Sequence, residues 1–555
     1  MTKSLIACVL WAASALLHAQ STQELLNTSK NTENVLTFGM GYDLKMYSPL
    51  SQINKSTIKR LVPIWNMSLS NDMGELSQPT IYNGVMYVVN GNWTFAIDMN
   101  TGQQIWRTPV QYDRNALRIT TGGAYVRGAA TIYNGKLFRP TIDAHIVALD
   151  MKTGKQIWKQ QFADWKESYA GIVAPAVVNG VLIAGMAGGD RTARGFIDGY
   201  DPDTGKRLWR TWAVPEAGQK GSETWPKDMP DAWKYGGGAT WQSGTYDPEL
   251  DLFYIGTGNA EPYNPKYRGG MDSLYTACIL AIRPKTGELV WHYQYVPNDT
   301  FDFDGTSESI LAEIEVDAKP RQVLFNVHKN GFAYVIDRTN GQLIAAHPYV
   351  AQNWAKYIDL KTGRPVLTDL LDRALKGETI QLIPRQGTNA TLSAYNPKSG
   401  RLFINSWELI REMKFVDQKL LVGTGYTGVE ASFKNPPKGE PVGYNLAMEP
   451  LSGKVIWKRP LFDYGLSAGS LATDGGLIFT GKLTGEFIAL DQDTGQMVWK
   501  FQTGSSINAP PITYTHKGQQ YVTILSGRGG SNPTRYAGNA VPSGGSVWTF
   551  ALLPE

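Results

Sequence analysis

The chain has 555 residues, of which 42% are apolar and 18% charged, with 58 glycines and 17 tryptophans. This balance is globular, and it points to many turns and aromatic plugs rather than long helices. The formal net charge of +4 is spread without a long basic run, which argues against a nucleic-acid partner.

Residues 1–19 have the order of a secretory signal: Lys3, an apolar run from Leu5 to Leu17, and a cleavage site at Leu17-His18-Ala19. The run continues past Cys8, which argues against a lipid anchor there, and it is too short to span a membrane. Removal of this segment leaves Cys278 as the one cysteine, so no internal disulfide forms. Its apolar neighbours mark it as an inert core residue. No Cys-x-x-Cys-His is present, which excludes a covalently attached c-type haem. The expected location is the periplasm, with no membrane span.

Residues 20–60 are polar and turn-rich, a lead-in rather than a domain. From Leu61 a motif recurs: strand, Asp or Asn turn, Thr-Gly, strand, Trp. It runs Ala96-Ile97-Asp98…Thr101-Gly102…Trp106, then returns with Trp158, Trp209, Trp291, Trp457 and Trp499. Degenerate copies without the Trp lie at Val335-Ile336-Asp337…Asn340-Gly341 and Ala394-Tyr395-Asn396…Ser399-Gly400. The steps of 52 residues from Trp106 to Trp158 and 42 from Trp457 to Trp499 fit the period of propeller blades. One four-stranded sheet cannot bury both faces, whereas sheets stacked around an axis can. Six clear and two degenerate copies predict an all-β, eight-bladed β-propeller over residues 61–555. The terminal strand 546–552 is expected to pair near Leu61 and remove the exposed edge. Two insertions interrupt the period, 216–239 and 349–385, and Leu370 to Leu375 in the second is expected to be a short helix.

One stretch carries concentrated chemistry. Gly256-Thr257-Gly258-Asn259 ends a strand, and Phe301-Asp302-Phe303-Asp304-Gly305 follows the next repeat. An amide oxygen and two carboxylates two residues apart can together hold a hard cation and take a proton.

Together with the Trp repeats, Gly236-Gly237-Gly238…Trp241, Phe253 to Asn259, Phe301 to Gly305 and Leu471-Ala472-Thr473…Gly475-Gly476, the chain resembles the pyrroloquinoline quinone (PQQ)-dependent alcohol dehydrogenases of the methanol/ethanol dehydrogenase family. The resemblance covers essentially the whole mature chain. It implies PQQ and one metal ion near the propeller axis. Asp302 matches the catalytic base, which takes the hydroxyl proton while hydride passes to the quinone. Asn259 matches a metal ligand, joined by Asp302. Asp190, after Gly188-Gly189, stands where the family usually has Glu, one methylene longer. Asp304 matches the extra ligand of the lanthanide-dependent branch, so the resemblance implies a lanthanide rather than calcium. Trp241 matches the residue stacked under the cofactor. Glu75, Arg127, Gly188, Gly189, Lys329 and Asn389 match its other contacts.

The chain departs from the family at four places. Thr121-Gly122-Gly123 replaces an adjacent-cysteine disulfide, Ala390 and Ser467 replace Trp residues, and Ala239 replaces a Thr. Smaller groups predict a roomier pocket than a methanol site and an alcohol substrate bulkier than methanol. With no haem motif, a separate periplasmic cytochrome c is the expected electron acceptor. Two other readings stay open: a non-enzymatic propeller scaffold and a sugar-oxidising quinoprotein. The sequence also leaves open a homodimer and the identity of the alcohol.

Overall fold

In the repeats, the middle strands are buried on both faces while the outermost alternates between half-exposed and exposed. Val85–Val89 and Trp93–Asp98 are largely buried, whereas Gln104–Pro109 is not. This is the burial expected of stacked sheets, whose outer strands form a rim. A computed structural model of the chain describes residues 20–72, 75–119, 125–389, 391–464, 468–529 and 540–554. The expected signal segment 1–19, Thr121-Gly122-Gly123, Ala390 and Ser467 lie outside the described residues.

Among those residues, seven sheets have four strands and one has five. The first comprises Thr80–Tyr82, Val85–Val89, Trp93–Asp98 and Gln104–Pro109, paired in order and antiparallel. The next six span 131–161, 176–212, 245–294, 309–348, 394–461 and 471–502. The last joins Ile512–His516, Gln519–Ser526 and Ser546–Leu552 to Leu61–Ser68, with Leu61 opposite Leu552 and Ser68 opposite Ser546. The terminal strand therefore pairs where the sequence placed it. No helix among the described residues is long and apolar enough to cross a membrane.

The repeated residues explain how one sheet packs on the next. Four of the repeat indoles donate their N–H to a backbone carbonyl in the following sheet, Trp106 to Met151 at 3.0 Å, Trp158 to Pro202 at 3.3 Å, Trp209 to Pro284 at 3.0 Å and Trp457 to Gln492 at 2.8 Å, whereas Trp291 Nε1 is buried without a hydrogen-bond partner among the described residues. Trp499 donates to Leu61 O at 3.1 Å and Trp65 to Met99 O at 3.1 Å, which links the split last sheet to both neighbours. The repeat glycine lies beneath the ring. At Gly205, φ is +72°, and a Cβ would come within 2.8 Å of Trp158, so both the turn and the contact require glycine.

The degenerate copies separate here. The turn at Gly341 lies under Trp291, and in the same sheet His347 stands in for the missing Trp, its Nε2 2.9 Å from Leu451 O and its ring over Gly453. The Asn396…Gly400 copy, by contrast, is the first hairpin of the sixth sheet, whose repeat ends at Trp457. The remaining copy belongs to Trp65. Asn396 accepts from Lys398 N at 2.9 Å, a side-chain turn that serves any tight hairpin, so its sequence does not distinguish the two uses.

The lead-in crosses the inner strands. Backbone N–H groups of Tyr246, Leu311, Tyr395 and Ala472, in four successive sheets, donate to carbonyls of Tyr42, Asp43, Lys45 and Met46 at 2.8–3.1 Å. Tyr47–Ser48 then adds a parallel strand to Leu471–Thr473. The insertion 349–385 forms a hairpin, Ala355–Asp359 with Arg364–Leu367, then a helix at Leu370–Leu375, as expected. Its strand Ile380–Leu382 joins a further hairpin, Ile410–Phe415 with Val429–Lys434. Sequence reasoning did not find that hairpin.

Candidate active site

Where the first strand of a sheet starts and the second ends, loops converge on a cavity of about 200 Å³. Ten of the eleven expected site residues line it: Arg127, Gly188, Gly189, Asp190, Trp241, Asn259, Asp302, Asp304, Lys329 and Asn389. Glu75 does not. It is buried behind the wall against Gly527 and Gly545, where a Cβ would approach its carboxyl oxygens to 2.3 and 2.9 Å, and it accepts from Asn90 Nδ2 at 3.4 Å.

The Asp302 loop is shaped by Asp299, a buried carboxylate that accepts from Phe301 N at 3.0 Å and Phe303 N at 2.8 Å. Phe301 and Phe303 anchor in the core, so the alternating Asp302 and Asp304 face the cavity. Gly305 follows because a Cβ there would lie 2.5 Å from Cys278 O. Cys278 is buried, and burial pushes its thiol well up, as expected of an inert residue.

Lys329 Nζ bridges the two acids, 2.7 Å from Asp302 Oδ1 and 2.7 Å from Asp304 Oδ2. Arg385 reaches Asp302 Oδ2 at 3.0 Å and Arg411 at 3.5 Å. Burial alone would raise the Asp302 pKa; Lys329, Arg385 and Arg411 outweigh it and hold the carboxyl below its ordinary range. Asp304 Oδ1 accepts from Trp241 Nε1 at 3.1 Å and from Asn259 N at 3.1 Å. The indole is thereby fixed at its edge, with the Arg127 guanidinium 5.1 Å from its ring centroid.

Across the cavity, burial and the charges of Asp302 and Asp304 push Asp190 up to about 6, against the pull of Lys329. Glu261 is fully buried, and burial and Asp190 push it well up. Its Oε1 accepts from Asn259 Nδ2 at 2.9 Å. This turns the Asn259 amide so that its nitrogen is occupied and its oxygen is left for another partner.

As they stand, no three Asp, Glu, His or Cys side chains among the described residues are gathered as a metal site, and the cation between Asp302 and Asp304 is the Lys329 ammonium. The donor set nevertheless fits a hard cation: it is all oxygen, and Asp190 and Glu261 are raised by burial and by neighbouring carboxylates, both of which a cation offsets. The cavity also fits a flat anionic cofactor. Trp241 offers a ring face, and the Arg127 Nε is buried without a hydrogen-bond partner. Gly188 needs its φ of +119°, since a Cβ there would meet Ser168 O at 2.1 Å.

Four groups were missed in the sequence. Glu261 stands two residues after Asn259, and Asp299 three before Asp302, spacings that could have flagged both. Arg385 closes an insertion that was recognised, whereas Arg411 carries no local signal.

Comparisons with known proteins agree with this geometry. A family model described as "PQQ: Glucose/ethanol/alcohol dehydrogenase, beta-propeller domain" matches residues 37–348 and 440–522. Quinohemoprotein alcohol dehydrogenase ADH IIB of Pseudomonas putida is 37% identical over 95% of this chain and 78% of its own length. Quinoprotein alcohol dehydrogenase PedH of Pseudomonas putida is 35% identical over 99% and 96%. Among solved structures, a europium-containing methanol dehydrogenase superposes with a TM-score of 0.88 and 30% identity, covering 96% of this chain and 100% of that one.

Proposed function

The chain belongs to the PQQ-dependent alcohol dehydrogenases, and on that premise we propose that it oxidises alcohols bulkier than methanol in the periplasm, with Asp302 as the base. Family membership makes it a quinoprotein alcohol dehydrogenase with a β-propeller domain that uses PQQ and a metal ion. The eight sheets are read as eight blades of one propeller over 61–555, with residues 20–60 as its lead-in.

The observation that carries the reading is Asp302, charged and held by three cations on the wall of a cavity lined by Trp241. A carboxylate in this setting is ready to take the hydroxyl proton of an alcohol at neutral pH. When bound, the cofactor supplies the quinone carbon that accepts hydride, and the metal ion supplies Lewis acidity. Trp241 holds the flat ring, Arg127 pairs with an acidic substituent, and Gly188, Gly189 and Asn389 complete the cradle. Lys329 stabilises negative charge developing beside Asp302. Asp190, Asn259, Asp302 and Asp304 hold the ion.

Asp304 favours a lanthanide over calcium, because a trivalent ion gains more from a further carboxylate. The europium named in the solved relative supports the same choice. Ala239, in the cavity wall beside Gly189, supports a wide pocket. With no haem-attachment motif in the chain, electrons pass to a separate cytochrome c.

The test is reconstitution with PQQ and either La³⁺ or Ca²⁺, followed by dye-linked oxidation of primary alcohols of increasing size. Activity with La³⁺ on alcohols larger than methanol is expected. Activity with Ca²⁺ alone, on methanol alone, or on sugars without metal would overturn the corresponding part of the reading.

A further inference from the structure

We propose that Glu261 is an additional carboxylate of the metal site, steadying Asn259 with one oxygen and offering the other to the ion beside Asp190. The inference rests on the reading of this cavity as a metal and cofactor site.

Three observations converge on Glu261. Its side chain is fully buried, and its Oε2 has no hydrogen-bond partner among the described residues. A carboxylate is rarely left in that state unless something else satisfies it. Its Oε1 accepts from Asn259 Nδ2 at 2.9 Å, which leaves the amide oxygen of Asn259 for the cavity. The Glu261 carboxyl also meets that of Asp190 from the opposite loop.

The backbone holds this placement. Glu261 N donates to Gly236 O at 3.0 Å, and Gly237 pairs with Ala260 across a β-bridge. A Cβ on Gly237 would lie 3.0 Å from Glu261 Cγ and 2.6 Å from Asn259 O, so this glycine makes room for the acid. Asp190 alone is a short ligand; with Glu261 the site gains a second carboxylate on that side. With Glu261 the site has four acids and one amide, an all-oxygen donor set that suits a hard ion.

The test uses the full chain reconstituted with PQQ and titrated with Tb³⁺ or Ca²⁺, following Trp-sensitised Tb³⁺ luminescence and competition by Ca²⁺. For Glu261→Gln, Tb³⁺ affinity is expected to fall about 10–100-fold, with a clearly smaller loss for Ca²⁺. Luminescence decays in H₂O and D₂O should show an added bound water. Glu261→Ala, which removes both carboxyl oxygens, takes its place if the Gln variant does not fold. Unchanged Tb³⁺ binding, or an equal fall for both ions with no added water, would falsify the role of Glu261. Wild-type protein that binds neither ion would instead overturn the metal reading itself.

Discussion

Asp302 carries three cationic partners, yet those partners are not equivalent. Lys329 is shared with Asp304, whereas Arg385 and Arg411 touch only the far oxygen, Asp302 Oδ2. Removing the proton acceptor without changing its size is the direct trial of its role. Asp302→Asn is expected to lower kcat by about 10²–10⁴-fold, with circular dichroism and melting temperature close to wild type. The pH dependence follows from the same contacts. The three cations hold Asp302 below its ordinary range, so taking one away raises its pKa. Arg411→Met should therefore shift the acidic limb of the kcat/KM profile to higher pH, measured across pH 4 to 8 at saturating metal.

At the scale of single elements, the repeat is held by a glycine turn beneath a tryptophan. Gly205 has φ +72° and lies under Trp158. Gly205→Ala adds backbone strain and a clash with a packed ring, and a loss of about 2 kcal/mol or more is expected by chemical denaturation. This unit is also why the propeller was readable: Asp turn, Thr-Gly and Trp lie within about a dozen residues and recur. Outside the repeat, legibility falls. The strand Ile410–Phe415 follows no period, and its Arg411 meets Asp302 109 residues away in sequence, a contact that no local pattern announces. Glu75 differs from the other expected site residues in where its side chain packs. Gly74-Glu75-Leu76 reads as a cofactor contact, and the glycines against its side chain, Gly527 and Gly545, flank the strands Gln519–Ser526 and Ser546–Leu552, a distant pairing that the local pattern does not show. Asn259 was legible beside the strand Leu252–Gly256, whereas Asp302 and Asp304 stood out through the Phe301-Asp302-Phe303-Asp304-Gly305 pattern and its family resemblance.

For the whole molecule, buried acids set the pH response. Glu308 and Asp299 are both pushed up to about 7, chiefly by burial. Groups raised in this way contribute stability that is complete below their unfolded values, near 4, and is lost as pH rises through about 7. The melting temperature of the protein without added metal should therefore fall between pH 5 and pH 8. Glu308→Gln should flatten that slope, read by scanning calorimetry; a slope as steep as wild type would show that Glu308 is not among its causes.

The pairing of Leu61–Ser68 with Ser546–Leu552 has a consequence in time. A ribosome makes the first partner almost five hundred residues before the second. Residues 42–46 wait as well, since their carbonyls are capped by inner strands made later. The earliest segments of the chain thus find their hydrogen bonds only when synthesis is nearly over. Until then these edges stay unpaired and open to wrong partners. Closure of the last sheet is thus an event of the nearly finished polypeptide, while most of the other sheets draw on strands that lie close together in sequence.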